Sequence, residues 1–112
     1  LDEAIKINPN NVSAQISKGT WHAEIVDKAG FMANILYGAT ADQAREHYEN
    51  ALNLEIQNIG FMYEISYGLY LLDSKKDRVK AKILLSKVIE AEPKNHLDEL
   101  YVEKAKNLIR EL

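Results

Sequence analysis

The side chains with the widest chemical repertoire in this sequence are three histidines, His22, His47 and His96. Glu24 follows His22 by two positions, and Glu46 directly precedes His47. Two histidines and two carboxylates on facing helices would form a transition-metal site. However, successive residues on a helix diverge by about 100°, and the Glu-x-x-His spacing of helical di-metal sites is absent. We therefore expect no metal site.

Other catalytic arrangements have equally little support. The chain contains no cysteine, which excludes disulfides, cysteine-based zinc sites and thiol catalysis. Its five glycines are too dispersed to form a phosphate loop, and no serine or threonine lies in a nucleophile-elbow context. No pair of acids is fixed about one cleft. The sequence therefore predicts a protein that is not an enzyme and that holds no cofactor.

Composition limits the domain count and the kinds of partner. The 112 residues are 46% hydrophobic and 28% charged, which suits one globular domain. A net charge of −3 argues against nucleic acid as a partner, and no run approaches the ~20 apolar residues of a membrane span. Lack of cysteine fits cytoplasm and periplasm alike. Because the chain opens at Leu1 within a helical pattern and lacks an initiator methionine, we expect the true N-terminus to be missing.

Helical periodicity predicts an all-α fold. Pro9 and Pro93 each follow an amphipathic stretch, and since proline does not continue a helix, both mark helix ends. An apolar segment, residues 31–37, lies between Gly30 and Gly38 and is predicted to form one or two helical turns. The spacing of apolar residues predicts a helix tail at 1–7 and longer helices near 11–29, 41–55, 59–72, 76–91 and 96–111.

Helix starts are marked by capping residues. Thr40 and Gln43 have the spacing of a capping box, in which the Thr hydroxyl accepts a free backbone N–H and Gln43 reaches back. Ser74 and Asn95 each precede an aspartate by three residues and offer similar caps.

Small and aliphatic residues recur three and four positions apart in three stretches, which places them on one face of each helix. Small residues on that face allow a neighbouring helix to approach closely. The three sets are Leu1, Ala4, Ile5 and Pro9; Ala44, Tyr48, Ala51 and Leu52; and Ala81, Leu85, Val88, Ile89 and Pro93.

This pattern resembles the tetratricopeptide repeat, whose second helix carries a small residue, an aromatic four later, a small residue three after that, and then a proline. Ala44, Tyr48 and Ala51 match in order, and Gly19 and Gly68 fill the glycine position of the first helix. The resemblance implies antiparallel helix-turn-helix repeats in an α-solenoid with a C-terminal capping helix. Its parts are a repeat tail at 1–9, a repeat at 11–56 with an insertion near 30–40, a repeat at 58–93, and the cap at 95–112.

The sequence departs from that family in several places. Ala44 and Ala81 are 37 residues apart, against the usual period of about 34. Ile56 stands where proline is usual, and Gln15 and Lys18 stand where a large apolar pair is expected. The stretch 21–24, of sequence Trp-His-Ala-Glu, before an apolar insertion gives a looser likeness to helical-repeat components associated with TRAP transporters.

Tetratricopeptide arrays usually bind partners in a concave groove lined by the first helix of each repeat, and the lining implied here is mostly apolar. It suits an apolar peptide or helix, or a fatty ligand. Alternatively, residues 31–37 or a second copy of the chain fill the groove, because large exposed apolar patches are uncommon. The groove positions carried over are Ile16, Thr20, Ala23, Glu24, Met62, Ile65, Leu69 and Leu72, with Asp73 beside them.

Three further features have two interpretations each. Trp21 and His22 form either a recognition pair or, as we favour, a buried Trp with His at its edge. The basic run 75–82 is a solvated face or an acidic-partner patch. Tyr63, Tyr67 and Tyr70 pack between helices or stack on a ligand.

Two functions remain in view. The first, which we favour, is an interaction or assembly module for a protein or peptide partner, with self-association as one form of it. The second is a small-ligand or lipid-binding transport accessory that uses the same groove.

Overall fold

The computed structural model describes residue 2, residues 11–54 and residues 58–112. These belong to two compact units, unit 1 (residues 1–56) and unit 2 (residues 57–112). Apart from Asp2, the predicted helix tail at 1–7 lies outside the described residues, and so do Pro9 and Ile56.

The described part of the chain is all-helical and contains no strand, which confirms the predicted all-α class. Every predicted helix bound within it agrees with the structure to within two residues. None of the described helices is long and apolar enough to cross a membrane. Unit 1 contains α1 (Val12–Ala29), α2 (Met32–Tyr37) and α3 (Ala41–Leu54); unit 2 contains α4 (Ile59–Leu72), α5 (Lys75–Glu90) and α6 (His96–Ile109).

The three predicted N-caps are present. Thr40 Oγ1 accepts the amide N–H of Gln43 at 3.1 Å, while Ser74 and Asn95 accept amides three residues later at 3.1 and 2.8 Å. Each bond satisfies a helix N–H that has no partner within the helix. The expectation that Gln43 returns a bond to the Thr40 amide is wrong, because that amide donates to Nδ1 of His22 at 3.1 Å.

The packing of α1 on α3 in unit 1 depends on Gly19. A Cβ at this position would lie 2.7 and 2.9 Å from two ring carbons of Tyr48 and 3.2 Å from the carbonyl oxygen of Ala44. Tyr48 and Ala44 are both buried, and the Tyr48 hydroxyl shares a 2.9 Å hydrogen bond with Thr20 Oγ1. Small residues therefore allow the close helix approach that the spacing predicts.

Two glycines bracket α2. Gly30 and Gly38 have φ angles of 57° and 68°, a left-handed region that residues with a Cβ adopt at a cost. The Gly38 amide donates to the Asn34 carbonyl at 2.9 Å, and the Ala39 amide donates to the Ala33 carbonyl at 3.2 Å. Ala33 and Ala39 are buried in unit 1. These contacts fix where α2 ends and where the chain turns toward α3.

In unit 2, α4, α5 and α6 all pack on one another. The core contains Ile65 from α4, Leu85 and Val88 from α5, and Ala105 and Leu108 from α6. Leu97 and Leu100, two apolar residues near the start of α6, are exposed. The burying face is confined to the C-terminal half of this helix.

We predict that Gly19→Ala destabilises unit 1 by about 1–2 kcal/mol. Overpacking a core typically costs about 1–3 kcal/mol, and the higher helix propensity of alanine returns at most about 1 kcal/mol. The Tyr48 ring is buried and hydrogen-bonded, so it has little room to move. Urea unfolding followed by fluorescence of Trp21, the single tryptophan, measures the change.

Gly60→Ala is the matched control. Its Cβ would meet the ring of half-buried Tyr101 at 3.1 Å, a contact that a small ring rotation relieves. We expect little change in the stability of unit 2, followed by circular dichroism. A Gly19→Ala protein as stable as the parent would contradict the close-approach account.

Candidate functional site

The groove positions predicted on α1 are buried or half-buried in unit 1. Ile16 and Ala23 are buried, and Glu24 is half-buried. The Thr20 hydroxyl is engaged by Tyr48 of α3 at 2.9 Å. This side of α1 therefore supplies packing against the unit's own helices.

The groove positions predicted on α4 are placed similarly. Met62, Ile65 and Leu69 are buried, and Leu72 is half-buried. Asp73 is exposed just after α4, where its backbone has a φ of 59° and its carboxylate contacts Arg78 at 2.8 Å. Five of the eight predicted groove side chains, counting Ile16 and Ala23 of α1, are thus core residues rather than an open lining.

Among the surface hollows lined by described residues are two on unit 2, and the predicted groove residues line neither of these two. The larger, about 480 Å³, includes part of the basic run, whose lysines 75, 76 and 82 are exposed as a solvated face would be. Its lining is Lys75, Arg78, Val79, Lys82 and Leu112. The smaller, about 280 Å³, is lined by Tyr63, Lys104, Asn107, Leu108 and Glu111.

The tyrosines of α4 are divided between packing and surface. The Tyr63 ring lies 5.6 Å from the ring of Tyr101 on α6, so this tyrosine packs between helices as predicted. Tyr67 is exposed, and its ring lies 6.2 Å from that of Tyr70 on the same helix. The Tyr70 hydroxyl donates to a carboxylate oxygen of Glu111 at 2.8 Å.

Unit 1 presents an exposed apolar segment, formed by the side chains of Phe31, Ile35, Leu36 and Tyr37. Their exposed fractions are 86%, 71%, 60% and 56%. Ala33 anchors the short helix to the unit. Since the four large side chains extend into solvent, they do not cover Ile16 or Ala23, and the alternative that residues 31–37 fill the groove gains no support.

A cluster of aromatic and polar side chains lies on α1 and α3 of the same unit. The rings of His22 and His47 stack with centroids 5.8 Å apart and planes inclined by 19°. Trp21 contacts His22 edge-on at 4.9 Å, and the Lys18 Nζ lies 4.6 Å from the Trp21 ring centroid. His22 is only 3% exposed whereas Trp21 is half-buried, so the interpretation of a buried Trp with His at its edge has the two residues reversed.

Hydrogen bonds define the protonation of both rings. The Thr40 amide donates to His22 Nδ1 at 3.1 Å, so this nitrogen carries no proton and the neutral ring holds its proton on Nε2. His47 Nδ1 lies 2.7 Å from the amide oxygen of Gln15, which accepts only, so His47 Nδ1 carries a proton and donates.

Both histidines resist protonation. Burial lowers the pKa of His22 below its usual value, and the charges of Lys18 and His47 lower it further. Burial likewise lowers the pKa of His47, with Lys18 adding to the effect while Glu46 and Asp2 oppose it. Asp2 contacts Lys18 at 3.0 Å, and this contact lowers the pKa of the Asp2 carboxyl.

Of the three histidines considered as metal ligands, the structure brings only two close together. His22 and His47 meet, but their Nδ1 atoms are engaged by Thr40 and Gln15. His96 lies in unit 2, exposed, with Nδ1 3.4 Å from Glu99. Across residues 11–54 and 58–112, together with Asp2, no three metal-ligating side chains gather into one group.

No protein-family model, no curated protein and no solved structure matches this chain. The likeness to tetratricopeptide repeats therefore rests on the residues that carry it, among them Gly19, Ala44 and Tyr48.

We predict that unit 1 loses stability as pH falls below about 6.5. Because folding lowers the pKa of His22 and His47 below the usual 6.5, the unfolded chain takes up protons first as the solution is acidified. Stability is then fully present above pH 6.5 and declines as pH drops toward the folded-state pKa. Urea titrations at pH 7.5, 6.0 and 5.0, followed by Trp21 fluorescence, measure this decline.

The matched control is His96→Gln, which removes an exposed histidine from unit 2. It should leave the pH profile of unit 1 unchanged. Stability that stays flat, or rises, between pH 7.5 and 5.0 would contradict the prediction.

Proposed function

We propose that this chain is a non-enzymatic protein-interaction or assembly module whose partner contacts the exposed apolar segment of α2. The observation that carries the proposal is the exposure of four large apolar side chains within seven residues, ranging from 56% to 86%. A soluble protein keeps such a patch in water at a free-energy cost, and patches of this kind mark interaction sites. Burying each side chain against a partner would return about 1.5–3 kcal/mol.

The chemistry of the segment specifies the kind of partner. Residues 31–37 contain no charged side chain, and two of the four large side chains are aromatic. Aromatic anchors surrounded by apolar contacts are typical of the buried centre of protein interfaces. The fitting partner is a protein with an apolar cleft wide enough for a helix of two turns.

The likeness to tetratricopeptide repeats supports the same class of function. In unit 1, the glycine and the small and aromatic residues that carry this likeness meet at the contact of Gly19 with Ala44 and Tyr48. We include in the proposal an arrangement of the helix pairs as antiparallel repeats. However, we assign the partner contact to the exposed apolar segment, because most of the predicted groove positions are buried.

The second function, a small-ligand or lipid-binding accessory, has less support. It needs an open apolar lining at Met62, Ile65 and Leu69, and these side chains are buried. We therefore retain the interaction module as the proposal.

Site-specific photocrosslinking tests this function. A photoreactive phenylalanine analogue replaces Phe31 in the protein expressed in its own cells, and crosslinked species are identified by mass spectrometry. We expect discrete adducts with a protein partner or a second copy of the chain. Ile35→Ser combined with Leu36→Ser should reduce them about ten-fold or more, because two apolar contacts are lost.

The matched control is Val79→Ser with Ile83→Ser on α5, where the two side chains are similarly exposed, at 54% and 53%. This double variant should leave crosslinking from position 31 unchanged. Adducts that persist at full yield in the Ile35/Leu36 variant, with helicity intact, would overturn the proposal.

A further inference from the structure

We propose that His22 is a proton-operated latch on the connection between α2 and α3, residues 38–40, and that protonation of its Nδ1 releases the Thr40 amide. The latch would thereby control how the exposed apolar segment is held. Its effect on partner binding rests on the proposed function, whereas the release of Thr40 does not.

The latch follows from the hydrogen-bonding capacity of the imidazole. His22 Nδ1 accepts the Thr40 N–H at 3.1 Å. A protonated imidazole has two N–H donors and no acceptor, so the charged ring would direct an N–H at the N–H of Thr40. Both donors then lack a partner in a half-buried setting, and the bond is replaced by repulsion.

His47 does not act in the same way, although it stacks on His22. Its Nδ1 already donates to Gln15 Oε1 at 2.7 Å. Adding a proton at Nε2 leaves that bond intact. A charge on His47 therefore opposes protonation of His22 without itself breaking a hydrogen bond, and His22 is the residue that switches.

Charged groups around the pair set the conditions for switching. From α1, Lys18 disfavours a charge on His22, and from α3, His47 does the same. Asp2 favours the charge on both rings, and Glu46 favours it on His47. The segment 31–40 carries no acidic or basic side chain, and its titratable Tyr37 is exposed. Burial is the largest effect on both rings and also disfavours the charge, so protonation requires a pH below that at which an ordinary histidine titrates.

The Thr40 bond is one of several contacts that hold α2 in place. Thr40 also caps α3 through its hydroxyl, and Ala39 beside it is buried. The Ala39 amide donates back to Ala33, the buried anchor of α2. Release of the Thr40 amide therefore loosens a connection whose other end fixes the position of α2.

Amide hydrogen exchange in the free protein tests the latch. We compare the protection factor of the Thr40 amide, corrected for intrinsic exchange, between pH 7.5 and 5.0. It should fall about ten-fold in the parent protein, the effect of losing one hydrogen bond of ordinary strength. In His22→Asn, which places an acceptor near the Nδ1 position but has no titrating ring there, the protection factor should fall clearly less than in the parent, because only His47 of the pair still titrates.

His96→Asn is the matched control and should behave as the parent. A Thr40 protection factor that is constant in the parent, or that falls equally in His22→Asn, overturns the latch. Should His22→Asn not fold, the parent alone decides. The Thr40 amide shift, the His22 ring resonances and Trp21 fluorescence must then share one titration midpoint, and separate midpoints reject the proposal.

The two proposals fail separately. The exchange measurement uses no partner, so loss of crosslinking from position 31 leaves its outcome intact. Conversely, a latch that does not open leaves the crosslinking result standing.

Discussion

The close approach of α1 and α3 at Gly19 is the contact on which the rest of unit 1 depends. Where a side chain would stand, the Tyr48 ring lies 2.7 Å from the Cβ position. The two helices approach this closely because Gly19 of α1 has only a hydrogen in place of a side chain. On α3, the small residue Ala44 lies beside the ring. The Thr20 hydroxyl, one residue along, then lies within 2.9 Å of the Tyr48 hydroxyl and fixes the helix register.

The close approach of α1 and α3 also brings the rings of His22 and His47 together. His22 is almost one helical turn beyond Gly19, and His47 directly precedes Tyr48. Two helices held this close stack the imidazoles and remove His22 from water. A buried imidazole needs a partner for its unprotonated nitrogen, and the Thr40 amide supplies the N–H. One close contact thus links the helix pair to the connection that carries α2.

Much of the fold was predictable because helical periodicity and caps are local. The bounds of the helices and the caps at Thr40, Ser74 and Asn95 follow from residues within a few positions of each other. The close approach was predictable too, because small residues at helical spacing lie on one face and allow a neighbouring helix to come near.

The site was harder to predict, because burial depends on residues distant in sequence. An apolar face such as Met62, Ile65 and Leu69 fits an open groove and a packed core equally well, and only the packing of α4 on α5 and α6 decides for the core. Similarly, the capping-box spacing assigns the Thr40 N–H to Gln43, three residues later, and nothing local points to His22. The tertiary contact with His22 is the one that forms.

The proposed function requires that the exposed apolar segment lies in water and that the apolar face of α4 is core. Carbene footprinting of the free protein, read residue by residue by mass spectrometry, tests this directly. We expect heavy labelling of Phe31, Leu36 and Tyr37 and protection of Met62, Ile65 and Leu69. Protection of the exposed apolar segment together with labelling of those α4 residues would contradict it.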